Sequence, residues 1–174
     1  MATLAIVPVE EYLRTTYEPD MEYVNGQLVE RHVGEYYHSR MQCLTSATLV
    51  AREQERGFSA FTEQRVQVND EPRFRIPDLC VKALPHEPTP VLVKPDLAIE
   101  IVSPDDTIPE MLTKVGEYLA AGIPHIWVID PYQRTVVEAD REGIRRCTSG
   151  IAETDLVGAV DFNALFARLG QRPS

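Results

Sequence analysis

The stretch Asp96-Leu97-Ala98-Ile99-Glu100-Ile101-Val102, then Thr107-Ile108-Pro109-Glu110, then His125-Ile126-Trp127-Val128-Ile129-Asp130, decides the fold. The first segment alternates as a strand should: Leu97, Ile99 and Ile101 face one way, and Asp96, Ala98, Glu100 and Val102 the other. Thr107 and Glu110 form a capping box, with Pro109 tolerated in the first turn because its missing N–H has no intrahelical partner. The helix that follows is expected to pack through Ile108, Met111, Leu112, Val115 and Leu119 and to stop at Gly122. Residues 125–130 are almost continuously apolar, which suits a strand covered on both faces. Strand, helix and strand in this order favour a parallel pair joined by a right-handed crossover.

Upstream, residues 58–69 and 73–83 read as two further strands, separated from the third by a loop rich in proline (Pro85, Pro88, Pro90). Residues 35–56 predict a helix with an apolar face of Tyr37, Met41, Leu44, Thr48 and Ala51, ended by Gly57. Met21–Val24 and Gln27–Glu30 flank Asn25-Gly26, a strong type I′ hairpin signal, and residues 9–17 suggest a short helix. Downstream lie a hairpin over 135–149, turning at Glu142-Gly143, and a closing helix over 161–169. The order is helix, three strands, helix, strand, with flanking hairpins. The class is α/β or α+β with a mixed sheet, in one domain spanning residues 1–174.

At 174 residues and 44% hydrophobic, the chain can build a substantial core. No apolar run approaches the ~20 residues that a membrane helix needs. The N-terminus lacks a basic region before its apolar residues, so no signal peptide is expected. Three widely spaced cysteines, Cys43, Cys80 and Cys147, give neither a disulfide framework nor zinc spacing. A reducing, cytoplasmic setting follows as the expectation. Net charge is −10 and evenly spread, with 9 basic and 14 acidic side chains in residues 1–90 and 8 and 13 in residues 91–174. Such a chain does not grip nucleic acid by its field alone. A carboxylate site is nonetheless negative until its metal arrives.

Glu100 is the first candidate for chemistry, because a carboxylate inside a sheet is costly unless it is paired or bound to a cation. An ion pair with Arg73 or Arg75 would satisfy it equally well. Asp78 follows Pro77, and proline within a strand marks an edge or a bend. An acid at such a bend can point into the same cleft as Glu100; a turn-forming Pro-Asp is the competing reading. Two carboxylates with water and a phosphate oxygen would suit Mg²⁺, with Mn²⁺ as a substitute. Lys114 could supply a stabilising ammonium, or form an ordinary helix-surface pair with Glu110. His32, His38, His86 and His125 show no ligand spacing, Trp127 reads as core, and Arg145-Arg146 as a solvated pair.

From Met21 to about Ile144 the chain resembles the Uma-type family of putative restriction endonucleases, within the PD-(D/E)XK nuclease superfamily. The resemblance is carried by Met21-Glu22-Tyr23-Val24-Asn25-Gly26-Gln27-Leu28-Val29-Glu30, Arg75-Ile76-Pro77-Asp78, Pro95 to Pro104, Lys114 with Tyr118, and Gly122 to Pro131. It implies the nuclease core of helix, three strands, helix and strand, with Asp78 and Glu100 as metal-binding acids. Where the superfamily pattern places lysine two residues after the glutamate, this chain has Val102. The resemblance implies a lysine from the following helix instead, a place that Lys114 fits, and Glu22 and His38 match recurrent positions at the site edge. The implied activity is metal-dependent cleavage of DNA, the implied partner DNA. Because double-strand cutting needs two sites and C₂ pairs are the commonest assembly, a homodimer is the expected state. A catalytically degenerate binding or scaffold protein on the same fold is the alternative. A hydrolase of a small phosphorylated compound is a third reading, with no motif of its own.

Overall fold

The computed structural model describes residues 6–31, 35–68 and 72–170, so residues 1–5, 32–34 (His32 among them), 69–71 and 171–174 lie outside it. Helix α1 (Val9–Arg14) precedes the hairpin of β1 (Met21–Val24) and β2 (Gln27–Glu30), whose turn residues Asn25 and Gly26 have φ of 50° and 85°. Helix α2 (Tyr36–Val50) gives way at Ala51–Arg52 to the one-turn α3 (Glu53–Arg56). Six strands follow: β3 (Phe58–Thr62), β4 (Val66–Gln67), β5 (Arg73–Arg75), β6 (Leu79–Ala83), β7 (Leu92–Val93) and β8 (Leu97–Ile101). Helix α4 (Ile108–Ala120), with its capping box formed, crosses to β9 (His125–Asp130). The chain closes with β10 (Thr135–Asp140), β11 (Gly143–Arg146), β12 (Ile151–Thr154), β13 (Gly158–Asp161) and α5 (Phe162–Ala167).

Six strands form the main sheet in the order β11-β10-β9-β8-β6-β3, with β8–β9 parallel and the other pairs antiparallel. The parallel pair is the one joined through α4, as the sequence predicts. A second sheet, β2-β1-β5-β4-β7, stands apart, and β12–β13 form a separate hairpin. On one face of the main sheet, Leu79, Val81, Leu97, Ile99, Ile101, Trp127 and Ile129 pack with Met41, Leu44 and Leu49 of α2 and Phe162, Leu165 and Phe166 of α5. On the other face, Cys80, Ala98, Ile126 and Val128 meet Val115 and Tyr118 of α4 and Val66 and Leu92 of the second sheet. The alternation read from residues 96–102 is therefore real, but both faces of β8 are covered.

Two expected strands are each broken and shared between sheets. The 58–69 segment divides after Glu63, which adopts a left-handed φ of 52°, so β3 joins the main sheet and β4 the second. The 73–83 segment divides at Ile76-Pro77-Asp78, where Pro77 has no N–H to give a ladder. These two breaks hold the sheets together at one place. The proline-rich loop contributes the short β7, and the β12–β13 hairpin was not anticipated, each of its strands being only four residues long. Two helix faces also differ from expectation. Helix α2 buries His38, Met41, Leu44, Thr45 and Leu49. Helix α4 buries Val115 and Tyr118 and leaves Ile108 and Leu112 at 78% and 50% exposure. No described helix is long and apolar enough to cross a membrane.

Candidate metal centre

The β6–β8 register pairs Leu79 with Ile99 and Cys80 with Ala98. Continued one step past the start of β6, it sets Asp78 opposite Glu100. The bend at Pro77-Asp78 stops the ladder there, and the Asp78 carboxylate takes over: its Oδ2 accepts the Ile101 N–H at 2.7 Å. Both acids are buried, at 3% and 2% exposure. They line one cavity of about 350 Å³ together with Glu22, Arg31, His38 and Lys114. The two acids named from sequence thus converge, as do the lysine and both edge residues.

Among the described residues, Glu100 meets no arginine. Arg73 and Arg75, the alternative partners, turn instead to Glu117 at 2.5 and 2.6 Å. The Glu100 carboxylate is served from α4: the Tyr118 hydroxyl donates to Oε1 at 2.5 Å, and Lys114 Nζ lies 3.4 Å from Oε2. Residues 114 and 118 are one turn apart on the helix face that looks onto β8. Lys114 approaches Glu100 and Glu22 (3.9 Å), which displaces the reading of a surface pair with Glu110. Burial dominates the Glu100 carboxyl and pushes its pKa up to about 7; Lys114 lowers it only in part, while Asp78 and Glu22 raise it further. The Lys114 ammonium is held above its usual range, chiefly by Glu100.

Asp78 is surrounded by donors. Arg31 Nη2 reaches Oδ1 at 2.8 Å, and His38 Nε2 lies 3.2 Å from Oδ2. Burial works against its charge, but His38, Arg31 and the Ile101 N–H outweigh burial and hold its pKa below the usual carboxylate range. For His38, burial disfavours the cation, yet Asp78 prevails and its pKa lies above the ordinary histidine value. His38 reaches this acid because it is on the buried side of α2, not on the helix surface.

The second sheet delivers the remaining groups. The β1–β5 pairing brings Glu22 beside Arg75, whose Nη1 donates to Glu22 Oε2 at 2.6 Å. The Ile76 N–H donates to the other Glu22 oxygen at 3.1 Å. Arg75 therefore ties Glu22 to Glu117 of α4 and holds the second sheet against the crossover helix. Arg31 escaped sequence reasoning: it follows the hairpin with no periodic or motif signal, and only tertiary structure carries it to Asp78. Elsewhere, Trp127 is 1% exposed and packs edge-on against Phe162, confirming it as core. Arg145 is held by Asp140 at 2.6 Å on the exposed β10–β11 hairpin.

Among the described residues, no group of three His, Cys, Asp or Glu side chains is gathered as a ligand set. Asp78 and Glu100 offer two buried hard carboxylates to a cavity that Glu22, Glu30, Asp106 and Glu110 also line. Glu100 carries no bidentate arginine and lies fully buried with a single ammonium nearby. That donor set fits Mg²⁺ or Mn²⁺, which commonly take one or two protein carboxylates and complete their shell with water and phosphate oxygens.

The model of the Uma2 family, described as putative restriction endonuclease, matches residues 9–155. A crystal structure of a putative nuclease belonging to DUF820 from Anabaena variabilis superposes with a TM-score of 0.80 at 23% identity, over 94% of this chain and 99% of that one. It has the same fold. A DrdV–DNA complex solved by electron cryomicroscopy overlaps 79% of this chain and 14% of that one, at 17% identity and a TM-score of 0.42. No curated protein matches the chain.

Proposed function

The chain belongs to the Uma2 family of putative restriction endonucleases, and from that premise we propose that it is a divalent-cation-dependent endonuclease that hydrolyses DNA phosphodiester bonds. The observation that carries the reading is the meeting of Asp78 and Glu100 across β6 and β8, beside Lys114, in one cavity. Asp78 and Glu100 would hold Mg²⁺ or Mn²⁺. When bound there, the ion supplies Lewis-acid polarisation of the phosphoryl group and a water of lowered pKa.

The side chains supply the rest. The Ile101 N–H and His38 hold the Asp78 carboxylate in one orientation, and Tyr118 does the same for Glu100. Lys114, which faces the cavity, takes the place of the lysine missing at Val102 and stabilises negative charge developing on the phosphate. Glu22 and Arg75 fix the wall from the second sheet. A C₂ homodimer would supply the two sites that double-strand cleavage needs. The setting we envisage is cytoplasmic.

The test is supercoiled plasmid at low salt with Mg²⁺ or Mn²⁺, with and without chelator, alongside Asp78→Ala. Nicking that needs the metal and disappears in the variant is the expected result. Cleavage surviving the substitution comes from another enzyme. A second reading, a nuclease fold retained for binding, is favoured by Val102 and by the net charge of −10. Absence of cleavage together with unchanged thermal stability on adding metal would select it.

A further inference from the structure

The two carboxylate oxygens of Asp78 are held differently. Its Oδ2 already accepts the Ile101 N–H at 2.7 Å and faces His38 Nε2 at 3.2 Å. Oδ1 is the oxygen left for a cation, and Arg31 Nη2 holds it at 2.8 Å. The guanidinium is not committed to Asp78 alone. Its Nη1 lies 3.5 Å from Oε1 of Glu63, whose side chain is 47% exposed at the rim. Glu63 sits just beyond β3, where the chain turns with positive φ between the two sheets.

We propose that Arg31 is an exchangeable counter-ion, which neutralises Asp78 in the metal-free protein and gives up Oδ1 by moving onto Glu63 when a divalent cation binds. The proposal rests on the reading of Asp78 and Glu100 as cation ligands. A buried carboxylate needs a partner at all times, since an unpaired one is strongly destabilising. Arg31 meets that need without closing the site, because Glu63, already 3.5 Å from the guanidinium, offers the displaced charge a second partner. Arg31 thereby sets the cation affinity, and Glu63 lowers the free energy of exchange.

Mn²⁺ binding to the metal-free protein, measured by isothermal titration calorimetry, tests this. Arg31→Met should bind Mn²⁺ about tenfold or more tighter, since a competing positive charge has gone. Glu63→Gln should bind it more weakly, and that weakening should vanish in the Arg31→Met background, because Glu63 acts through Arg31. Unchanged or weaker binding by Arg31→Met, with binding still abolished by Asp78→Asn, overturns the exchange and leaves the metal site standing. An equal Glu63→Gln effect with and without Arg31 also overturns it, since that is plain Coulombic attraction. Absence of Mn²⁺ binding by both the natural protein and Arg31→Met removes the metal site itself. Glu63 is half exposed, so Glu63→Gln in the natural background keeps the test decisive should Arg31→Met prove unstable: unweakened binding there overturns the exchange.

Discussion

Glu100 and Asp78 are neighbours with opposite electrostatic outcomes. Asp78 collects an arginine, a histidine and a backbone N–H, and its pKa falls. Glu100 has a phenol and one ammonium, burial wins, and its pKa rises from 4.5 to about 7. A raised carboxyl binds its proton more tightly in the folded state than in the unfolded chain. Its contribution to stability is therefore fully present below about 4.5 and is lost as the pH rises towards 7. For metal-free protein the loss is at most about 3 kcal/mol. Urea unfolding in chelator at pH 5 and pH 8 should show the natural protein losing more stability than Glu100→Gln across that interval. Parallel behaviour of the two would contradict the buried, under-compensated state of Glu100. At this scale the sequence was informative about where the acids sit, because strand alternation and a proline bend are local signals, whereas Lys114 was singled out by the family resemblance and not by its spacing. The sequence was silent about Arg31, and it left open an ion pair of Glu100 with Arg73 or Arg75, because the contacts these arginines make span between 42 and 47 positions along the chain.

At the scale of elements, α4 governs the site, since it alone supplies Lys114, Tyr118 and Glu117. Its start is fixed by Thr107, whose hydroxyl accepts the Glu110 N–H while Glu110 reaches back to the Thr107 N–H. Thr107→Ala should cost roughly 1 kcal/mol, the usual worth of such a cap. Thermal or urea unfolding measures this; a change below a few tenths would show the helix start to be held by packing alone. The capping box and the crossover were legible because both are encoded within a few residues. The packed faces of α2 and α4 were less so. Apolar periodicity assigned Ile108 and Leu112 inward, whereas the site claims Lys114 and Tyr118, and His38 replaces an apolar residue on α2. A polar cavity between helices and sheet draws polar side chains inward, which a hydrophobic pattern cannot anticipate. The split strands were hidden for a related reason: an alternating pattern continues across a bend although the hydrogen-bond partners change.

Across the whole molecule, the cavity exists because two sheets diverge at Glu63 and at Pro77-Asp78 while α4 spans them. The main sheet gives Glu100, the bend leading into β6 gives Asp78, the second sheet Glu22 and Arg75, and the crossover helix Lys114. The order of helix, strands, crossover helix and strand was readable from periodicity; the existence of two sheets was not. A net charge of −10 leaves DNA little long-range attraction, so cation binding between the acids carries much of the weight in the proposed activity. The most direct test is diffraction from crystals grown with Mn²⁺, collected where manganese scatters anomalously. An anomalous peak within ligand distance of both Asp78 and Glu100 is expected if the two acids share a divalent cation. A map with no such peak at saturating Mn²⁺, or with manganese bound only elsewhere on the protein, would contradict it.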